Sequence, residues 1–253
     1  MAGSRPRVLV TRAVQQASAL ADALQQCGFD VLSIPALQIV EPTDRYAALD
    51  AVLHKLAEHQ WLIFTSANAV EAVSARMKHL GLTMPASLRI ASIGAATTRV
   101  IEAAGWKVAL QPETAIADAL AEALLPYAAE SKMFFPRAEQ GRDTLPLILR
   151  RAGAQLTLVP AYRTILPEAS VALIQKDSDT IDAVCFTSSS SVLNLAAMLD
   201  KAGVCLREDA VLASIGPVTT GTMLQLGLRP QIETSEASVA ALVNALARYF
   251  KLQ

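Results

Sequence analysis

Apolar positions recur along this chain in two alternating rhythms. Short runs that suit buried strands, such as Val8-Leu9-Val10-Thr11 and Trp61-Leu62-Ile63-Phe64, alternate with stretches whose apolar residues return every three or four positions. The first stretch, Gln15 to Cys27, is apolar at Leu20, Ala23, Leu24 and Cys27, and Gly28 stops it. Strand Phe29 to Ile34 completes a β-α-β unit, which calls for parallel strands and a right-handed crossover. The alternation predicts helices over Asp44–Glu58, Asn68–Leu80, Gly94–Ala104, Ala115–Leu125, Asp143–Ala152, Glu168–Gln175, Val192–Lys201, Val218–Leu226 and Ser238–Phe250. Strands are predicted at Arg89–Ile93, Lys107–Leu110, Lys132–Phe135, Gln155–Val159, Ala183–Phe186, Val211–Ile215 and near Gln231. Strand and helix alternating throughout means α/β, with parallel sheets covered on both faces.

The pattern repeats itself. Pro35-Ala36-Leu37-Gln38-Ile39-Val40-Glu41-Pro42 and Pro160-Ala161-Tyr162-Arg163-Thr164-Ile165-Leu166-Pro167 are the same extended segment, bounded by prolines and 125 residues apart. Upstream, Arg12-Ala13 matches Arg137-Ala138 and Gly28 matches Gly153. Downstream the offset becomes 122: Phe64-Thr65-Ser66 matches Phe186-Thr187-Ser188, Ala91-Ser92-Ile93-Gly94 matches Ala213-Ser214-Ile215-Gly216, and Thr97-Thr98 matches Thr219-Thr220. A repeat this long predicts two domains rather than a solenoid. If the two Pro-to-Pro segments pair as a two-stranded bridge, the chain leaves one domain, builds the other and returns. Domain 1 is then residues 1–36 plus 165–253, domain 2 is residues 39–162, and the linkers are about 35–42 and 160–167, with five strands in each domain. A cut near residue 128 into sequential halves is the alternative; the interrupted cut explains why both joints keep the same form.

The chain has 253 residues, 53% of them hydrophobic, so two cores of ordinary size can be filled. No run of about 18 uncharged apolar residues is present to span a membrane. The N-terminus enters a strand directly, without a secretory h-region, which predicts a cytoplasmic protein. Twenty-two basic residues balance 23 acidic ones without a basic block, so nucleic acid is not an expected partner. Cys27, Cys185 and Cys205 lack metal-ligand spacing and read as packing residues or idle thiols. His54, His59 and His79 have no partners at ligand spacing. No metal is expected.

In open parallel sheets ligands bind beyond the carboxyl ends of the strands, where helices begin. Four such corners carry small hydroxylated residues: Thr65-Ser66, Gly94 to Thr98, Thr187 to Ser191 and Gly216 to Thr220. Helix starts offer free N–H groups to anions, and Ser or Thr there can also simply cap the helix. Each helix-end charge interaction is worth only about 0.3–1 kcal/mol at the surface, so a ligand held this way must carry several anionic groups. There is no full dinucleotide-binding glycine fingerprint and no phosphate-loop lysine. Ser188-Ser189-Ser190-Ser191 lacks the glycines of a nucleophile elbow, and no histidine stands in a corner to serve as its base. At the joints, Tyr162 replaces Leu37 of the twin segment and supplies a phenol that can donate a proton or pack at an interface.

With these residues in view, the chain resembles the uroporphyrinogen-III synthases over essentially its whole length. The resemblance rests on Val10-Thr11-Arg12, Phe64-Thr65-Ser66-Ala67-Asn68-Ala69-Val70, Ile93-Gly94 with Thr97, Pro160-Ala161-Tyr162-Arg163-Thr164, Phe186-Thr187-Ser188, and Ile215-Gly216-Pro217 with Thr219. It implies two flavodoxin-like α/β domains joined by a two-stranded β linker, with the active site in the cleft. It implies cofactor-free closure of hydroxymethylbilane, a linear tetrapyrrole with eight carboxylates, to uroporphyrinogen III with loss of water and inversion of ring D. Tyr162 matches the family tyrosine thought to assist departure of the hydroxyl. Thr65, Ser66, Thr97, Thr187, Ser188, Gly216 and Thr219 match substrate-binding positions. Arg12 matches a family arginine, with carboxylate contact and a structural role both open. Ser189-Ser190-Ser191 stands where the family often has a bulkier residue, so the local helix start is expected to differ. The resemblance implies a monomer, with possible transfer of substrate from hydroxymethylbilane synthase. Two other readings share the architecture: a hinged two-domain polyanion-binding protein without catalysis, and a nucleotide-sugar transferase, which would need a nucleotide site that the sequence does not display.

Overall fold

A computed structural model describes residues 5–11, 14–141 and 143–252 of the chain. The elements begin with β1 (Arg7–Val10), α1 (Val14–Gln26), β2 (Asp30–Ser33), β3 (Gln38–Val40), α2 (Ala47–Leu53) and β4 (Trp61–Phe64). Next come α3 (Ala67–Leu80), β5 (Arg89–Ser92), α4 (Ala95–Ala103), β6 (Val108–Leu110), α5 (Ala117–Leu124), β7 (Lys132–Ala138), α6 (Thr144–Arg151) and β8 (Gln155–Ile165). The chain closes with α7 (Glu168–Asp177), β9 (Ala183–Phe186), α8 (Ser189–Ala202), β10 (Val211–Ser214), α9 (Pro217–Gln225), β11 (Ile232–Glu233) and α10 (Val239–Tyr249). The glycines that predict helix ends, Gly28, Gly81, Gly105 and Gly153, all have positive φ, between 67° and 90°.

Four elements differ from the sequence reading, one of them β7, which runs on to Ala138 instead of stopping at Phe135. The helix expected over Asp44–Glu58 starts only at Ala47, because Arg45 and Tyr46 are left-handed (φ 53° and 70°) while the Asp44 carboxylate accepts from the Tyr46 and Ala48 N–H groups. It ends at Leu53, and a separate 3₁₀ turn covers Leu56–Glu58. Strand β8 runs on through Pro160 instead of stopping at Val159. Its register against β7 shifts there: Arg137 faces Pro160 but Ala138 faces Tyr162, leaving one extra residue on β8. A bulge is one of the few places where a strand tolerates proline. Helix α8 begins at Ser189 rather than Val192, since Ser188 caps it.

The chain divides into two compact units, residues 1–38 with 165–253, and residues 39–164. Unit 1 holds a parallel sheet in the order β11-β10-β9-β1-β2. Unit 2 holds the order β3-β8-β7-β4-β5-β6, in which β8-β7-β4-β5-β6 are parallel. Small β3 lies beside β8 at the edge, so this sheet has six strands where the sequence predicts five. Apart from β3, the two sheets have one order read through the repeat: β1 corresponds to β7, β2 to β8, β9 to β4, β10 to β5 and β11 to β6. Unit 1 therefore takes β1 and β2 from the first copy of the repeat and β9 to β11 from the second, and unit 2 takes β4 to β6 from the first copy and β7 and β8 from the second.

Both faces of each sheet are covered. Along β4, Leu62 and Phe64 enter one cluster and Trp61 and Ile63 the other. Along β1, Val8 and Val10 point one way and Leu9 the other. Strands buried on both sides must be apolar at every position, which is why they read as unbroken hydrophobic runs. Each fully buried Leu, Ile or Phe contributes about 1.5–3 kcal/mol relative to exposure.

Candidate functional site

The order of each sheet fixes where its sequence direction switches. Sequence direction reverses beside β1 and β9 in unit 1, and beside β7 and β4 in unit 2. The crevice beyond the carboxyl ends at such a switch is the receptive place in an open parallel sheet.

In unit 2, β4 ends at Thr65-Ser66 and α3 begins. Ser66 is extended (φ −155°) and its Oγ accepts from the Ala69 N–H at 3.2 Å, capping the helix. The same Oγ lies 3.1 Å from the Tyr162 phenol oxygen. Tyr162 reaches this point because of the bulge in β8. Ala161 and Tyr162 are consecutive, yet both are buried in the same cluster, which strict strand alternation would forbid. The Tyr162 carbonyl accepts from Glu139 N–H at 2.8 Å, so backbone holds the segment on the β7 side. Tyr162 is 8% exposed.

Unit 1 has the equivalent corner without the phenol. Ser188 Oγ accepts from Ser191 N–H, and Ser188 N–H donates to Ser191 Oγ, both at 3.2 Å, closing a reciprocal cap. Leu37, the counterpart of Tyr162, is exposed. Ser189 ties α8 to α9: Thr222 Oγ1 donates to Ser189 Oγ at 2.7 Å, and Ser189 Oγ to the Val218 carbonyl at 3.4 Å. The serine run is thus used within the chain as a cap and a helix-to-helix tie.

The other two corners match each other closely. Ser92 Oγ donates to the Gly94 carbonyl at 3.2 Å, and Ser214 Oγ to the Gly216 carbonyl at 3.0 Å. Each hydroxyl also accepts from the glycine N–H, at 3.4 and 3.3 Å. Gly94 and Gly216 then open α4 and α9 without a side-chain cap. Thr97 and Thr219 sit in the first turns and are buried, at 5% and 4% exposure. Thr65, Thr187 and Ser188 are half-buried. Arg12 lies outside the described residues.

Among the described residues, four buried hydroxyls have no hydrogen-bond partner: Thr11 and Thr187, at the ends of the neighbouring strands β1 and β9, Thr220 in α9, and Ser131 just before β7 in unit 2. Buried polar groups are nearly always satisfied, and of these four Thr11 and Thr187 stand at the switch of unit 1. Sequence reasoning does not single out Thr11. Its signal is slight, a threonine closing an apolar strand.

Burial pushes the Cys185 thiol up to about 12, which leaves it unreactive. Burial also lowers His59, which packs on Phe134. Among the described residues no group of three or more His, Cys, Asp or Glu could hold a metal ion, and no helix is long and apolar enough to cross a membrane. A cavity of about 780 Å³ in unit 1 opens at the amino ends of its strands, between α8 and the loops entering β10 and β11, lined by Leu195, Leu206, Leu212 and Leu228. It contains none of the corner residues.

Two α/β units assembled from exchanged halves of one duplication, with hydroxyl-bearing helix starts at their strand ends, define a duplicated two-unit α/β protein. Residues 18–244 match the family model described as Uroporphyrinogen-III synthase HemD. The chain is 32% identical over 252 residues to the uroporphyrinogen-III synthase of Synechococcus elongatus, covering 96% of this chain and 94% of that one. It is 30% identical over 248 residues to a putative uroporphyrinogen-III synthase of Methanothermobacter thermautotrophicus, covering 94% and 97%. The chain therefore belongs to the uroporphyrinogen-III synthase family. In fold it resembles uroporphyrinogen III synthase structures from Thermus thermophilus (a mutant form, TM-score 0.65) and Helicobacter pylori (TM-score 0.60). Each is 17% identical to this chain, and each match covers 97% of this chain and 99% of the other.

Proposed function

We propose that this chain closes hydroxymethylbilane to uroporphyrinogen III, with loss of water and inversion of ring D, in tetrapyrrole biosynthesis. The observation that carries the reading is the family match along nearly the whole length, 32% identical to a relative named for this activity. The site residues fit the chemistry. A substrate with eight carboxylates meets helix starts rich in N–H groups and hydroxyls, each weak alone and additive over many contacts. Thr65, Thr187, Ser188, Gly216 and the first turns carrying Thr97 and Thr219 hold carboxylates. The burial of Thr97 and Thr219 favours their backbone over their side chains in that task.

Tyr162 is the general acid. Its proton passes to the leaving hydroxyl, the C–O bond breaks with its electron pair on oxygen, and water departs. The pyrrole nitrogen lone pair supplies the electrons and an N-protonated, cationic azafulvene forms. Closure through a spiro-pyrrolenine then inverts ring D, as the family resemblance implies. Released substrate closes spontaneously to the wrong isomer, so the protein's main work is to impose a fold on the chain of pyrroles. Positioning can supply roughly 7–11 kcal/mol of a barrier. The reaction is a cofactor-independent elimination with ring closure. The protein works as a cytoplasmic monomer, and handover from hydroxymethylbilane synthase would limit spontaneous loss.

The test is isomer analysis. Purified protein is supplied with fresh hydroxymethylbilane, and oxidised products are separated into isomers I and III. Predominant isomer III is expected without any added cofactor. Tyr162→Phe is expected to lower turnover by roughly 10²–10⁴-fold with little loss of stability. Isomer I alone at the spontaneous rate, from folded protein, would overturn the reading in favour of a polyanion-binding protein.

A further inference from the structure

We propose that Ser66 is a positioning residue that acts through Tyr162, rather than a substrate contact. The inference rests on the general-acid role assigned to Tyr162. A serine hydroxyl has one proton and two lone pairs. One lone pair of Ser66 is taken by the Ala69 N–H. The proton and the other lone pair remain, and the Tyr162 oxygen stands 3.1 Å away. When the phenol donates to Ser66, its proton is held inside the protein. When Ser66 donates to the phenol oxygen, the phenol proton is free to face the substrate. The second arrangement forms a directed chain, from Ala69 N–H to Ser66 O–H to Tyr162 O–H to the leaving hydroxyl. Such chains strengthen link by link, and this one starts at the positive end of a 14-residue helix.

The duplication supplies an internal comparison. Ser188 caps α8 as Ser66 caps α3, so capping alone explains a serine at both positions. Ser188 is closed into a reciprocal cap with Ser191, and its second neighbour is Ser190 Oγ at 3.3 Å. At Ser66 the third helical residue is Ala69, whose methyl group cannot close such a box. Each capping hydroxyl thus spends one lone pair on its helix, and the difference lies in its second neighbour, Ser190 Oγ in one unit and the Tyr162 phenol in the other.

The step balances. Tyr162 gives its proton to the leaving oxygen, which departs as water. The phenolate left behind accepts from Ser66. It is reprotonated when the closing pyrrole carbon gives up its proton, so the net loss is one water.

A double-mutant cycle tests this. Ser66→Ala is expected to lower kcat by about tenfold or more, with KM changed by less than about twofold. Ser66→Thr, which keeps a hydroxyl, should restore most of it. In the Tyr162→Phe background the same change should cost less than about twofold, because the two residues act as one unit. Ser66→Gly, which removes the hydroxyl while largely preserving the cap, guards against a folding defect. An equal loss in both backgrounds, a loss carried by KM, or no recovery in Ser66→Thr would overturn the assignment. If Tyr162→Phe itself keeps full turnover, the general-acid role falls and the Ser66 assignment with it, whereas an equal loss from Ser66→Ala in both backgrounds overturns the Ser66 assignment alone.

Discussion

Gly94 and Gly216 hold the same place in the two copies but face different neighbours. A Cβ on Gly94 would stand 2.6 Å from the Ala115 Cβ, whereas one on Gly216 would meet the Ala237 Cβ at 3.9 Å. Backbone angles do not explain either glycine, since both are close to fully extended. Close approach explains only the first. Gly94→Ala should therefore destabilise unit 2 by about 1–3 kcal/mol through overpacking, and Gly216→Ala should change stability by no more than about 0.5 kcal/mol. The reading is the urea midpoint at constant slope; equal shifts for both substitutions would contradict the packing argument. This difference is not legible in the sequence, where the two stretches are nearly identical, because it depends on residues about 20 positions downstream in each copy. Tyr162 is legible, as the residue that breaks the symmetry with Leu37. Its contact with Ser66 is not, because a bulge aims the ring and strict alternation would misplace it.

Between elements, an ion pair binds α2 to α3. Arg76 donates to both oxygens of Asp50, at 2.5 and 2.6 Å, and lies over the Tyr46 ring. The guanidinium hydrogen bonds hold the Asp50 carboxyl below its usual range; burial opposes them, and His54 and His79 add minor support. A depressed carboxyl contributes stability that is full above the unfolded carboxylate pKa and is lost as pH falls through the folded one. Asp50→Asn should thus cost about 0.2–1 kcal/mol near neutrality, as partly exposed pairs do, and the wild-type advantage should vanish in acid below the folded pKa. Urea midpoints across that pH range check it; an advantage that grows in acid would contradict the assignment. The short α2 shows where pattern reading fails. Leu49, Val52, Leu53 and Leu56 keep helical spacing, but two left-handed residues delay its start and a 3₁₀ turn replaces its end. Local backbone chemistry, here the Asp44 turn, overrides periodicity.

For the molecule as a whole, the repeat reveals two copies but not which strands pair. Similarity between copies is a property of segments, while sheet order is set by contacts distant in sequence. Its consequence is that neither copy contains a complete sheet. A fragment of residues 1–128 would hold β1 and β2 without β9, and β4-β5-β6 with β4 stripped of β7. Both groups would expose bare edges and half-covered apolar faces, a state that invites aggregation. Residues 39–164, by contrast, contain every strand of one sheet and the two clusters that cover it. The fragment of 39–164 should fold alone and unfold in a single cooperative urea transition with coincident circular dichroism and fluorescence curves. The 1–128 fragment, though of similar length, should show no such transition. Cooperative unfolding of 1–128 together with a featureless 39–164 would mean that the exchanged strands are not what stabilises either sheet.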